Sequence, residues 1–323
     1  MKKIYLIIFI FILSGCMDNV NESLFIASIG IERQDEELRG YFYLPLSNDV
    51  GKTEGEGKGS GEFLEVGGKS IQEIFNNAKA VNSLDVNLNH VSSVVLNNEL
   101  YNPSFLDEFI NFVKKSQLLD FNFYFFATDE KMKDIYSFQN PNQESVLNSL
   151  LVVSGDNEGL RLVGEPVHFI DFSKKFYSNR TILVPTLTME ELWHINDKKV
   201  KNFYPQSGIY YYKGDVTKVE KEKGSPYLKD NVEFYDEIEK EPIYFSKYRL
   251  AQFKNEIRIF IEYKSFGKRI EKESVINLIK IRISEYLNKF RNCDPLDFYY
   301  YNENFKEDFS YDDVKINVVI LNS

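Results

Sequence analysis

The sequence predicts an α+β protein made of three mixed α/β domains in which β-sheets are flanked by helices. Three observations carry this. Helical and extended periodicities alternate between residues 63 and 127. Short apolar runs separated by Gly, Pro, Asp and Lys fill residues 160–227, and a helical stripe about twenty residues long lies between extended segments near residue 280. The expected divisions are a signal peptide at 1–15, an N-terminal α/β domain at 16–153 with a flexible glycine-rich loop at 51–61, a small strand-rich middle domain at 154–230, and a C-terminal domain at 231–323 with its long helix at about 271–290.

The first sixteen residues are read as an export signal. Lys2 and Lys3 form a positive n-region, Ile4 to Leu13 form an unbroken apolar run, and Leu13-Ser14-Gly15-Cys16 ends it. Ten apolar residues fall short of the roughly 20 that cross a hydrocarbon core. Small residues at 14 and 15 suit a peptidase cleft, and Cys16 supplies the thiol that acyl transfer requires, as in a bacterial lipobox. The expected mature chain therefore begins at Cys16, lipidated and held on the outer face of a membrane.

Leu24 to Ile31 and Leu38 to Leu46 flank the charged turn Glu32 to Glu37 and read as a hairpin. Gly51 to Gly61 has no apolar residue and reads as a loop. The alternation then runs Phe63 to Val66 extended, Ser70 to Val81 helical, Val91 to Leu96 extended, Pro103 to Lys115 helical and Phe121 to Ala127 extended. Ser70 and Glu73 have the spacing of a capping box, with Ile71, Ile74, Phe75 and Ala78 on one face. Glu144 to Leu151 is helix-like, and the turn cluster Ser154 to Gly159 marks the first boundary. Thr181 to Val184 and Gly208 to Tyr212 read as strands of the middle domain, and Lys218 to Lys240 as a solvated connector. Ile243 to Leu250 and Glu256 to Lys264 are strands. The helix Glu271 to Phe290 carries Val275, Leu278, Ile279, Ile283, Tyr286, Leu287 and Phe290 on one stripe, and Phe298 to Tyr301 and Val314 to Leu321 are expected to close the sheet.

Composition narrows function. Removing Lys2 and Lys3 takes the formal charge from −10 to −12, with both signs interspersed, which argues against nucleic acid. Cys293 is the one thiol left beside Cys16, so no intramolecular disulfide is expected, and without a CxxC or a neighbouring histidine it reads as a buried small apolar residue. His90, His168 and His194 lack HxxxH or HExxH spacing and read as structural. There is no GxSxG elbow, and Gly68-Lys69-Ser70 has Phe63 where a P-loop needs glycine, so it reads as a turn feeding the capped helix. Asp236 to Glu241 lacks the alternation of a calcium loop and reads as a solvated face. No catalytic, cofactor or metal residue is assigned. The triplets Tyr210 to Tyr212 and Tyr299 to Tyr301 read as strand packing, the middle ring on one face and the outer two on the other.

The order of several motifs resembles the Ger(x)C family, the lipoprotein C subunits of spore nutrient-germinant receptors. After the lipobox comes an Ile-Gly-Ile segment, Ile29-Gly30-Ile31, then Gly68-Lys69-Ser70 and its helix, then His90-Val91-Ser92-Ser93-Val94-Val95-Leu96. Pro185-Thr186-Leu187, Ser207 to Asp215 and Asn292-Cys293-Asp294-Pro295-Leu296-Asp297-Phe298 follow in the same order. The chain departs at Met17, where the family commonly has tryptophan, at Lys114 to Gln117, where it has an arginine-rich segment, and at Asp297, where glycine is expected.

The resemblance implies three α/β domains in an elongated arrangement. It also implies a non-enzymatic subunit at the inner membrane of the spore, needed for assembly or signalling of the receptor during germination. Its partners would be membrane-spanning A and B receptor subunits, with the membrane reached through the lipid anchor on Cys16. The competing expectation is a lipid-anchored solute-binding protein of an importer, with aromatic residues lining a cleft between lobes.

Overall fold

The structure is a computed structural model that describes residues 23–44, 62–81, 85–137, 167–195, 198–219, 234–266 and 270–321. Its architecture is α+β: mixed sheets with six helices among the described residues. The hairpin expected at the start is β2 (Ser28–Gln34) and β3 (Glu37–Leu44), preceded by β1 (Ser23–Phe25). Then come β4 (Glu62–Gly68), α1 (Ile71–Val81), β5 (Asp85–Asn87), β6 (Ser93–Asn97), α2 (Pro103–Ser116), β7 (Tyr124–Thr128) and α3 (Met132–Ser137). The 51–61 loop and the helix-like Glu144 to Leu151 lie outside the described residues.

These elements form because local chemistry agrees with the pattern. Ser70 Oγ accepts the Glu73 N–H at 3.2 Å, and Glu73 Oε2 accepts the Lys69 N–H at 2.8 Å, a capping box displaced by one residue from the expected pairing. A β-carbon on Gly68 would sit 2.9 Å from Ile74 N, so only glycine lets the strand end approach the first turn of α1. Helix α2 begins with Asn102 Oδ1 accepting from Phe105 N at 3.0 Å and with Pro103 in its first turn. It ends at Gln117, which is left-handed.

After β8 (Val167–His168) and α4 (Phe169–Tyr177), the long hairpin β9 (Ile182–Ile195) and β10 (Lys198–Tyr212) leads to β11 (Asp215–Val219). The large sheet has the order β11-β10-β9-β7-β6-β2-β3-β4, with β8 beside β7. Its centre is parallel and its wings are antiparallel. Within the stretch 154–230, expected as a small strand-rich middle domain, the described strands β8 to β11 pair into the same sheet as β2, β3, β4, β6 and β7. β8 pairs with only Tyr124 and Phe125, and β9 takes up the remaining edge of β7 at Ala127 and Thr128. Helices cover both faces: α1, α2 and α4 pack on Ile29, Ile31, Val94 and Leu96, while α3 packs on Tyr41, Val95 and Phe126.

The second sheet has the order β12 (Phe234–Ile238), β13 (Glu241–Phe253), β14 (Glu256–Ser265), β15 (Lys315–Ile320). Helix α5 (Lys272–Phe290) lays Val275, Ile279, Ile283 and Leu287 onto Phe245, Ile257, Ile259 and Ile261. On the opposite face Arg249, Arg258, Lys264 and Lys315 are exposed. The segment Phe298 to Tyr301, expected as a strand, is instead helical within α6 (Phe298–Phe305). The reason is a cap four residues back: the Asp294 carboxylate accepts the N–H groups of Phe298 at 2.7 Å and Tyr299 at 2.9 Å, orphan donors that only a helix start leaves free.

Candidate functional site

The two sheet units meet where β9 and β10 face the turn that follows α5. Arg291–Cys293 form one turn of 3-10 helix, ended by Asp294 in the left-handed region. Asp297 is also left-handed, with φ at 57°. The resemblance leads one to expect glycine at this position, and a residue without a β-carbon adopts this conformation at no steric cost. Asp tolerates it better than most side chains, and here its carboxylate is used. Asp297 Oδ2 accepts from Arg180 Nε at 2.9 Å and Nη2 at 2.5 Å, and Oδ1 accepts the Thr181 N–H at 3.1 Å. Thr181 Oγ1 reaches the carbonyls of Cys293 and Asp294. Beside them the Tyr210 and Tyr286 hydroxyls are 2.8 Å apart, and the Phe290 ring packs on Tyr210.

Electrostatics mark this joint as structural. Burial pushes the Asp294 carboxyl above the ordinary carboxylate range, opposed by the donors it accepts from, Tyr311 OH at 2.7 Å among them. Burial works against the Arg180 charge, yet the hydrogen bonds and charge of Asp297 outweigh it and hold the guanidinium above its usual value. Burial raises the Cys293 thiol, so it stays protonated and unreactive. Among the described residues of the joint no nucleophile is paired with a positioned base. The contacts fix one sheet against the other.

A cleft of about 380 Å³ opens nearby, between the β13–β14 turn and α6. It is lined by Gln252, Phe253, Tyr301, Phe305 and Phe309, and Lys254 bridges to Glu307 at 3.1 Å across it. Phe253 and Phe305 are 66% and 61% exposed, so two apolar rings stand open to solvent at its rim.

The structure places the sequence-level candidates as follows. Cys16 lies outside the described residues. His90 is exposed with its ring edge on Phe25, His168 lies 3.8 Å from the Tyr124 ring, and His194 falls in β9. Among the described residues no group of His, Cys, Asp and Glu is placed to hold a metal ion. Cys293 is buried, as read. Tyr210 and Tyr211 point to opposite faces of β10, with Tyr212 stacked on Tyr299 on the side of Tyr210, whereas the second tyrosine triplet is helical. The Asp236 to Glu241 stretch is not wholly solvated: the Asp236 side chain is 2% exposed and takes both arms of Arg282. Sequence reading missed the joint, although its Cys-Asp-Pro-Leu-Asp segment was on the page as a motif.

The family model of the spore germination protein N-terminal domain matches residues 17–189, more than half of the chain. This chain belongs to that family. The matched span carries the Ile-Gly-Ile hairpin, the capped helix α1, the parallel strands β6 and β7 and the start of β9, so this spore germination protein places its family motifs at the centre of the large sheet. Gly30 of the hairpin shows what such a motif fixes, because a β-carbon there would lie 2.6 Å from the Tyr136 ring. Among solved structures, the crystal structure of the GerBC protein has 11% identity over 91% of this chain and 97% of its own, with a TM-score of 0.48. No curated protein matches the sequence. Among the described residues no helix is long and apolar enough to cross a membrane.

Proposed function

We propose that this spore germination protein is the lipoprotein C subunit of a nutrient germinant receptor, anchored through Cys16 to the outer face of the inner spore membrane. It works there without catalysis, beside membrane-spanning A and B subunits, to assemble the receptor or transmit its signal. The observation that carries this reading is the family match over residues 17–189, placed directly after a lipobox-like sequence. An acyl anchor confines the chain to the plane of its partners and raises its effective concentration there, so modest contacts suffice. In this reading sections 16–153 and 154–230, whose described strands β2, β3, β4 and β6 to β11 share one sheet, move as a unit joined to 231–323 at Asp297.

The test is germination of spores lacking the gene, across amino acids and sugars, complemented by wild type and by Cys16→Ala. Loss of response to one nutrient class, restored by wild type and not by Cys16→Ala, is the expected outcome. Full restoration by Cys16→Ala would sink the anchoring role, and an unchanged response of the deletion together with lost nutrient uptake would point to an importer.

A further inference from the structure

Among the described residues the second sheet is covered on one face only. Its bare face has a composition unlike the rest of the molecule. In a chain of net charge −10, the outward side chains of β12–β15 include Lys247, Arg249, Arg258, Lys264 and Lys315 against Glu237, Glu256 and Glu262. Two of those carboxylates are already matched, Glu262 by Lys247 at 2.8 Å and Glu256 by Arg258 at 2.9 Å. Arg249 and Lys264 have no ion-pair partner among the described residues. The register sets Arg249 opposite Phe260 and Phe260 opposite Val319, which is 45% exposed, and sets Lys264 opposite Tyr244. At that end the Tyr235 ring lies 4.7 Å from Tyr244 and 6.4 Å from Phe266, and Tyr235 and Phe266 remain 55% and 64% exposed.

We infer that this face lies against an anionic phospholipid surface. The charge is complementary to phosphate headgroups. The projecting rings suit the headgroup–acyl boundary, where aromatic side chains settle with one end apolar and the other wet. Three of the five cations on the face, Lys247, Lys264 and Lys315, are lysines, a residue depleted at protein–protein interfaces. This rests on the receptor reading insofar as that reading puts the chain at a membrane, and it adds which side meets the lipid.

The experiment uses the mature chain with Cys16→Ala, so that no acyl chain contributes, floated with phosphatidylcholine vesicles with or without phosphatidylglycerol. Binding is expected only with phosphatidylglycerol and is expected to be lost at high salt. The double variant Arg249→Gln/Lys264→Gln should partition about 30-fold more weakly, each cation near the surface being worth roughly 5-fold. A second variant, Phe266→Ser, should also weaken binding. All three side chains are exposed, so circular dichroism and the melting temperature should match wild type. Equal binding to both vesicle types, no binding, or a double variant that binds like wild type overturns the inference. So does specific crosslinking of the 249/264 face to an acidic protein in spore membranes. Lost germination with Cys16→Ala and no phosphatidylglycerol dependence would overturn this inference alone. Phosphatidylglycerol-dependent binding with normal Cys16→Ala germination would overturn the anchoring role instead.

Discussion

Strands β6 and β14 both run through the middle of a sheet, yet their sequences differ in kind. In β6, Val94, Val95 and Leu96 are all fully buried, because helices lie on both sides of the large sheet. In β14, Ile257, Ile259 and Ile261 are buried but Arg258 between them is exposed, because among the described residues α5 and α6 pack on one face of that sheet and nothing packs on the other. A doubly covered parallel strand reads as a continuous apolar run, and a singly covered one as an alternation. The second pattern also says which face has been left without a cover.

The largest effect that could break this comparison is a pair of truncations. Phe126→Ala, in the doubly covered sheet, should cost about 3–5 kcal/mol, while Phe260→Ala on the bare face should cost less than about 1 kcal/mol. Urea denaturation of the two variants measures both; comparable losses would mean that the outward face of β14 is covered after all.

Next in size is the joint between the units. Asp297→Ala removes a partly buried pair and leaves a β-carbon at positive φ, at a cost of about 2–4 kcal/mol. Asp297→Gly loses the same pair but carries no β-carbon at positive φ, and should be milder by about 1 kcal/mol. If the two variants melt together, backbone strain at this position is not what glycine relieves.

The smallest effect is a slope. Because burial raises the Asp294 carboxyl above its ordinary value of 3.8, the folded chain binds that proton more tightly than the unfolded one. The stability this group contributes is complete below 3.8 and is lost as the pH rises through the raised folded value. The advantage of wild type over Asp294→Asn should therefore shrink across that window in melting temperatures taken against pH. An advantage that grows with pH would mean that the N–H donors of Phe298 and Tyr299 outweigh desolvation.

Much of this fold was legible wherever local chemistry and burial agreed. The capping pair Ser70 and Glu73, the stripe on α5 and the alternation in β13 and β14 each state their element without help from a distant residue. Phe298 to Tyr301 did not, since a run of aromatic residues favours a strand until Asp294 supplies the cap. Helix α4 was equally hidden, as nine residues give only about two and a half turns of pattern. The joining of β9 to β7 and the contacts of Arg180 and Thr181 with Asp297 depend on pairings more than a hundred residues apart in the case of the joint. No periodicity encodes these. What the sequence did hold was Asp297 where the resemblance expects glycine, and its carboxylate gains its meaning only beside Arg180.

The parallel pairing of β14 with β15 has a kinetic consequence. Glu256 and Asn317, bonded across that pair, are 61 positions apart, and α5 and α6 lie within the loop they close. A parallel pair cannot be nucleated by a tight turn, so loop-closure entropy must be met before its contacts accumulate. The β13–β14 hairpin can zip locally in microseconds, whereas β15 has to wait for α5 to dock. Hydrogen exchange should show β15 gaining protection last and losing it first, with the second unit opening from that edge while the large sheet stays closed.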